Sequence, residues 1–105
     1  MPARKPRPRS KAARRDAVVR RTATIVNQRG LHARAAARVA GLAERFATEI
    51  TVSANGISVS ALSIMGLMLL AAGPGTEVEI SASGRTAGEA VSALVALIEA
   101  GFDEG

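Results

Sequence analysis

Asn55-Gly56 lies between two stretches that alternate apolar and polar residues, and this dipeptide limits the folds open to the chain more than any other feature. Both residues tolerate positive φ, which is what a two-residue hairpin turn demands. Before it, Glu49–Ser53 places Ile50 and Val52 on one face; after it, Ile57, Val59 and Ala61 repeat the alternation. The two stretches must therefore pair antiparallel, with one apolar face and one polar face. A further alternating stretch sets Val78 and Ile80 among Glu77, Glu79 and Ser81. Thr22–Val26 reads as the first strand, ended by Asn27-Gln28-Arg29-Gly30.

Between the strands the period changes to that of a helix. From His32 to about Phe46, Ala35, Val39, Leu42 and Phe46 line one stripe, while Arg34, Arg38 and Arg45 fall on the solvent-facing side. Ser63 can cap a short helix through about Leu70, which Gly73-Pro74-Gly75 stops. Thr86, with Glu89 three residues later, has the form of a capping box for a last helix whose stripe is Ala90, Val91, Leu94, Leu97 and Ile98. The order β-α-β-β-α-β-α, with polar residues at alternate strand positions, predicts an α+β layer: an antiparallel sheet with one solvated face and helices on the other.

At 105 residues and 48% hydrophobic, the chain has room for one small core. Its net charge of +5 is not shared evenly. Residues 1–20 hold eight of the 14 Lys and Arg and one acid, a net +7, whereas residues 21–105 are net −2. The first 20 residues also hold three of the four prolines and no branched apolar residue before Val18, so they are expected to be a disordered basic tail ahead of a domain spanning 21–105. That tail is read as a solvated arm or as sequence upstream of a start near Val18 or Val19; the sharper reading is weak contact with nucleic acid or an acidic partner surface. Nucleic-acid binding by the domain itself is not expected, since it is net negative and its aromatic content is two phenylalanines. With no cysteine and one histidine, neither disulfides nor a transition-metal site is expected. No apolar segment suits a signal peptide or a membrane span, so a cytoplasmic protein is expected.

His32, the only histidine, sits in Arg29-Gly30-Leu31-His32-Ala33-Arg34-Ala35 at the loop-to-helix junction. A helix start offers unpaired N–H groups and partial positive charge, which together favour an anion. A neutral imidazole there presents a lone pair, and Arg34 adds a donor fork suited to phosphoryl oxygens. Phosphoryl transfer depends mostly on positioning and charge stabilisation, so these parts suffice on one side of such a reaction. An isolated histidine at a helix start is ordinarily a polar cap; the whole constellation points instead to a phosphoryl acceptor.

Gly30-Leu31-His32-Ala33-Arg34 resembles the active-site signature of HPr, the histidine-containing phosphocarrier of the bacterial phosphoenolpyruvate-dependent phosphotransferase system. Ser63-Ile64-Met65-Gly66-Leu67-Met68 resembles the second signature of that family, and Ile80-Ser81-Ala82-Ser83-Gly84 its fourth strand. The resemblance implies an open-faced β-sandwich, four antiparallel strands covered on one face by three helices. It implies a carrier rather than an enzyme, without cofactor or metal. His32 would take a phosphoryl group on Nδ1 from phosphorylated enzyme I, with Arg34 as its partner, and pass it to an enzyme IIA. One departure is Ala35, where many members have proline: alanine restores an N–H but leaves the helix entry less rigid.

The same resemblance makes Ser63 a candidate for regulatory phosphorylation by an HPr kinase/phosphorylase, against the alternative of a plain N-cap serine. Met65 and Met68 are candidates for partner contact, because Ile64–Leu70 is more apolar than a short helix can bury. A monomer is expected, since a small carrier must present one face to successive partners. Two functions are open: phosphoryl carriage, in sugar uptake or in nitrogen-type regulation, and a regulatory binding module controlled by phosphorylation with little transport role. His32 together with Arg34 favours carriage.

Overall fold

The computed structural model describes residues 17–104, and in it Asn55 and Gly56 take φ of 52° and 79° as the two-residue turn. The turn joins β2 (Ile50–Ala54) to β3 (Ile57–Ser60), with Val52 opposite Val59. The remaining elements are β1 (Val18–Thr24), α1 (Ala33–Ala43), α2 (Ile64–Leu69), β4 (Glu77–Ser83), α3 (Ala87–Glu99) and a closing 3-10 turn over Gly101–Asp103. The strands form one antiparallel sheet in the order β1-β4-β2-β3. Ala23, Val52, Val78, Ile80 and Ala82 point to the buried face, where α3 packs on β1 and β4 and α1 packs against α2 and α3. Thr51, Ser53, Ser58 and Glu79 occupy the other face. This is the open α+β sheet expected from the alternation. Among the described residues no helix is long and apolar enough to cross a membrane.

The element boundaries depart from expectation where a partner sets them. β1 runs from Val18 to Thr24 rather than from Thr22 to Val26, because it pairs residue for residue with β4, Val18 opposite Ser83 and Thr24 opposite Glu77. Ile25 stays attached past the strand, its N–H donating to Thr76 O at 2.9 Å and its carbonyl accepting from Gly75 N–H at 2.8 Å, while Val26 turns out to solvent. The expected boundary between residues 20 and 21 therefore falls inside a strand; the rest of the expected tail, residues 1–16, lies outside the described residues.

α1 ends at Ala43, short of Phe46, because Arg45 and Phe46 bond to the carbonyls three residues back, a tightened last turn. Its buried side is mostly small, Ala35, Ala36, Val39, Ala40 and Ala43, with Leu42 and Phe46 half-buried at the rim. The capping box at Thr86 does not form: with φ −104° and ψ 18° its backbone is not extended, and its hydroxyl makes no capping bond. Past α3 the chain folds back through Gly101 (φ 67°) and Phe102 (φ 59°), and the Phe102 ring is 0% exposed. Burying that ring contributes about 1.5–3 kcal/mol and holds the turn over Gly101–Asp103 against the core.

Candidate functional site

The loop ahead of α1 is fixed at Gly30. Its φ is +64°, and a Cβ there would overlap Ala72 O and come within 2.9 Å of Gly73 Cα, so only glycine fits. The neighbouring Leu31 N–H donates to Ala72 O at 3.0 Å, which ties this loop to the segment after α2. The chain then enters α1 through His32, whose extended backbone (φ −82°, ψ −178°) and carbonyl, accepting from Ala36 N–H at 2.8 Å, make it the N-cap residue.

Its side chain does not act as a cap. Ser63, in the same position before α2, accepts from Gly66 N–H at 2.9 Å through Oγ, whereas the imidazole of His32 makes no bond to the helix that follows. The N–H groups of Ala33, Arg34 and Ala35 make no hydrogen bond among the described residues. An uncapped helix start forgoes about 1 kcal/mol and leaves an anion-binding end open beside a nucleophilic ring.

The ring is held from the other side. His32 Nε2 pairs with Glu104 Oε2, with the side chains 17% and 23% exposed. Glu104 Oε1 accepts from Asn27 Nδ2 at 3.0 Å, and the same amide nitrogen donates to Gly30 O at 2.9 Å. Arg38 Nη1 donates to Phe102 O at 2.8 Å, which fixes the turn that carries Glu104. The hydrogen bond to His32 and then that to Asn27 hold the Glu104 carboxyl below its ordinary value, against a smaller opposing effect of burial and with help from the charges of His32 and Arg29.

Arg34 is exposed in the first turn of α1 and makes no hydrogen bond or ion pair among the described residues. Ser63 is half-buried with its hydroxyl engaged as the cap of α2. Met65 is 75% and Met68 43% exposed, beside exposed Leu62, Ile64 and Leu69, while Leu67 and Leu70 lie in the core. Asn27 and Glu104 were not singled out in the sequence. In sequence Asn27 reads as a turn residue, and no local pattern joins Glu104 to a histidine 72 residues away. A groove between α1 and α3, lined by Arg38, Leu42, Arg45, Leu97, Ala100 and Asp103, includes none of His32, Arg34, Ser63, Met65 or Met68.

A family model described as "PTS HPr component phosphorylation site" matches residues 19–100. The phosphocarrier protein HPr of Cupriavidus necator is 47% identical over 88 residues, covering 84% of this chain and 99% of that one. The phosphocarrier protein NPr of Shewanella violacea is 43% identical over 84 residues, covering 80% and 92%. Among solved structures, HPr-C-His from Thermoanaerobacter tengcongensis matches with a TM-score of 0.77 at 42% identity, covering 83% of this chain and 98% of that one. The HPr of Bacillus anthracis matches with a TM-score of 0.75 at 38% identity, covering 79% and 99%.

Proposed function

The chain belongs to the HPr family of phosphotransferase-system phosphocarriers, and on that footing we propose that it takes a phosphoryl group on Nδ1 of His32 from phosphorylated enzyme I and passes it to an enzyme IIA. It is a carrier, not an enzyme in the usual sense. The lone pair of Nδ1 attacks phosphorus, the bond from phosphorus to its atom on the donor breaks, and that electron pair leaves with the donor. Transfer to the acceptor is the same step in reverse roles.

One observation supports the assignment of His32 above the others. It is an N-cap residue whose side chain leaves its helix uncapped, so the open amides of Ala33, Arg34 and Ala35 are available to phosphoryl oxygens. Arg34, extended into solvent from the same turn, supplies fixed positive charge that engages when phosphate is present. The His32 side chain, 17% exposed, lies outside the groove between α1 and α3 and is reached from the surface. A site at the surface is covered by each partner in turn, which suits a monomeric carrier working in the cytoplasm.

Met65 and Met68 are assigned to the surface that partners cover, and Ser63 to regulatory phosphorylation by an HPr kinase/phosphorylase. The two branches, sugar uptake and nitrogen-type regulation, are told apart by which enzyme IIA accepts the group. The relatives are phosphocarriers by name, which does not favour the alternative of a binding module with little transport role. Intact mass after incubation with phosphoenolpyruvate and enzyme I is the test. Wild type gains one acid-labile phosphate and His32→Ala gains none; phosphate on the mutant, or none on folded wild type beside an active enzyme I control, rejects the assignment.

A further inference from the structure

The turn after α3 delivers one carboxylate. Gly101 and Phe102 both have positive φ, the Phe102 ring is fully buried, and its carbonyl is held by Arg38. Together they carry Glu104 across 72 residues of sequence onto His32 Nε2. The second carboxylate oxygen is held by Asn27, itself bonded to Gly30 O in the loop that leads into His32. The carboxylate is thus oriented through both oxygens.

We propose that Glu104 is a positioning residue for phosphoryl transfer: its carboxylate holds the Nε2–H of His32, which puts the lone pair on Nδ1 and confines phosphorylation to that nitrogen. The reading rests on the carrier function of His32. A neutral imidazole carries its proton on one nitrogen or the other, and only the unprotonated nitrogen attacks phosphorus. An ionised carboxylate only accepts, so the nitrogen facing it must be the protonated one. The carboxyl of Glu104, held below its ordinary value, is ionised at neutral pH. Nδ1 makes no hydrogen bond among the described residues. As Nδ1 bonds to phosphorus, positive charge builds on the ring, and the carboxylate at Nε2 stabilises it without moving. The same bond persists in the phosphorylated ring, whose Nε2 still carries its proton.

The test uses the full chain as wild type, Glu104→Ala, Glu104→Gln and Glu104→Asp, each checked for its unfolding midpoint. Ring 15N NMR reads the tautomer of His32. Wild type shows the Nε2–H form, Glu104→Ala gains a population protonated on Nδ1, and Glu104→Asp recovers part of the wild-type pattern. Single-turnover transfer from phosphorylated enzyme I slows about tenfold in Glu104→Ala, the scale of one hydrogen bond to a charged group, and less in Glu104→Asp. A merely structural role would move neither the tautomer nor this order. Phosphorylated wild type with the group on Nε2 overturns the proposal with no variant needed. Wild-type tautomer and rate in both Glu104→Ala and Glu104→Gln overturn it too. A wild type that takes no phosphate overturns the carrier reading, and this one falls with it.

Discussion

Because folding pulls the Glu104 carboxyl below its ordinary value of 4.5, the folded state binds a proton at this residue less readily than the unfolded chain does. The sign follows: Glu104 stabilises the fold fully above pH 4.5 and loses that contribution as the pH falls through the lowered folded value. Thermal unfolding of wild type and Glu104→Gln from pH 6 downward checks this. The advantage of wild type is present at pH 6 and shrinks below 4.5; a gap that widens with acid refutes it. At the same scale, His32 was open to being singled out as a candidate because its signal is local: a lone imidazole, a glycine before it and an arginine after it. Glu104 was not, because its meaning depends on a chain reversal. Phe102 adopts φ 59°, which no glycine or asparagine at that position announces.

Two residues with the same apparent job separate the elements. Ser63 and Thr86 both read as N-caps, yet Ser63 Oγ accepts from Gly66 N–H and the Thr86 hydroxyl makes no capping bond. Ser63→Ala is expected to cost about 1 kcal/mol in denaturant unfolding and Thr86→Ala only a few tenths, roughly the difference between a made and an unmade cap; equal losses would refute the distinction. Ser63→Asp keeps a capping oxygen, so stability stays near wild type while negative charge appears beside the exposed apolar side chains of α2. Phosphorylation of His32 slows in that variant if Ser63 is a control point, and an unchanged rate assigns the serine to capping alone. A capping motif in sequence states which bonds are possible, and the backbone at Thr86 declines the one offered. β1 was misplaced for a related reason. It is a sheet edge with Arg20 and Arg21 exposed, so its own pattern is weak and the seven residues of β4 define its length. β2, in the sheet interior between β4 and β3, alternates strictly and was legible within a residue.

At the scale of the whole molecule, the packing gathers two unlike features onto one face. α1 lies against α2, and Leu31, next to His32, bonds to Ala72 just beyond α2. His32 and the exposed Leu62, Ile64, Met65, Met68 and Leu69 therefore belong to adjoining surface, while Leu67 and Leu70 anchor the same short helix in the core. Six residues of helix cannot bury apolar side chains all round, and the excess faces outward, on the surface proposed above for partners. Methionine suits such a surface because its unbranched side chain repacks against different neighbours at little cost. Periodicity showed that α2 was too apolar for its length; only the packing shows which residues the core takes. Met65, three-quarters exposed, has little folding energy to lose. Met65→Gln should weaken enzyme I binding about tenfold, roughly 1.4 kcal/mol, with the unfolding midpoint unchanged. Titration calorimetry beside thermal unfolding reads both. Unchanged affinity removes Met65 from the docking surface, and a fall in both quantities means that its side chain supports the fold rather than the partner.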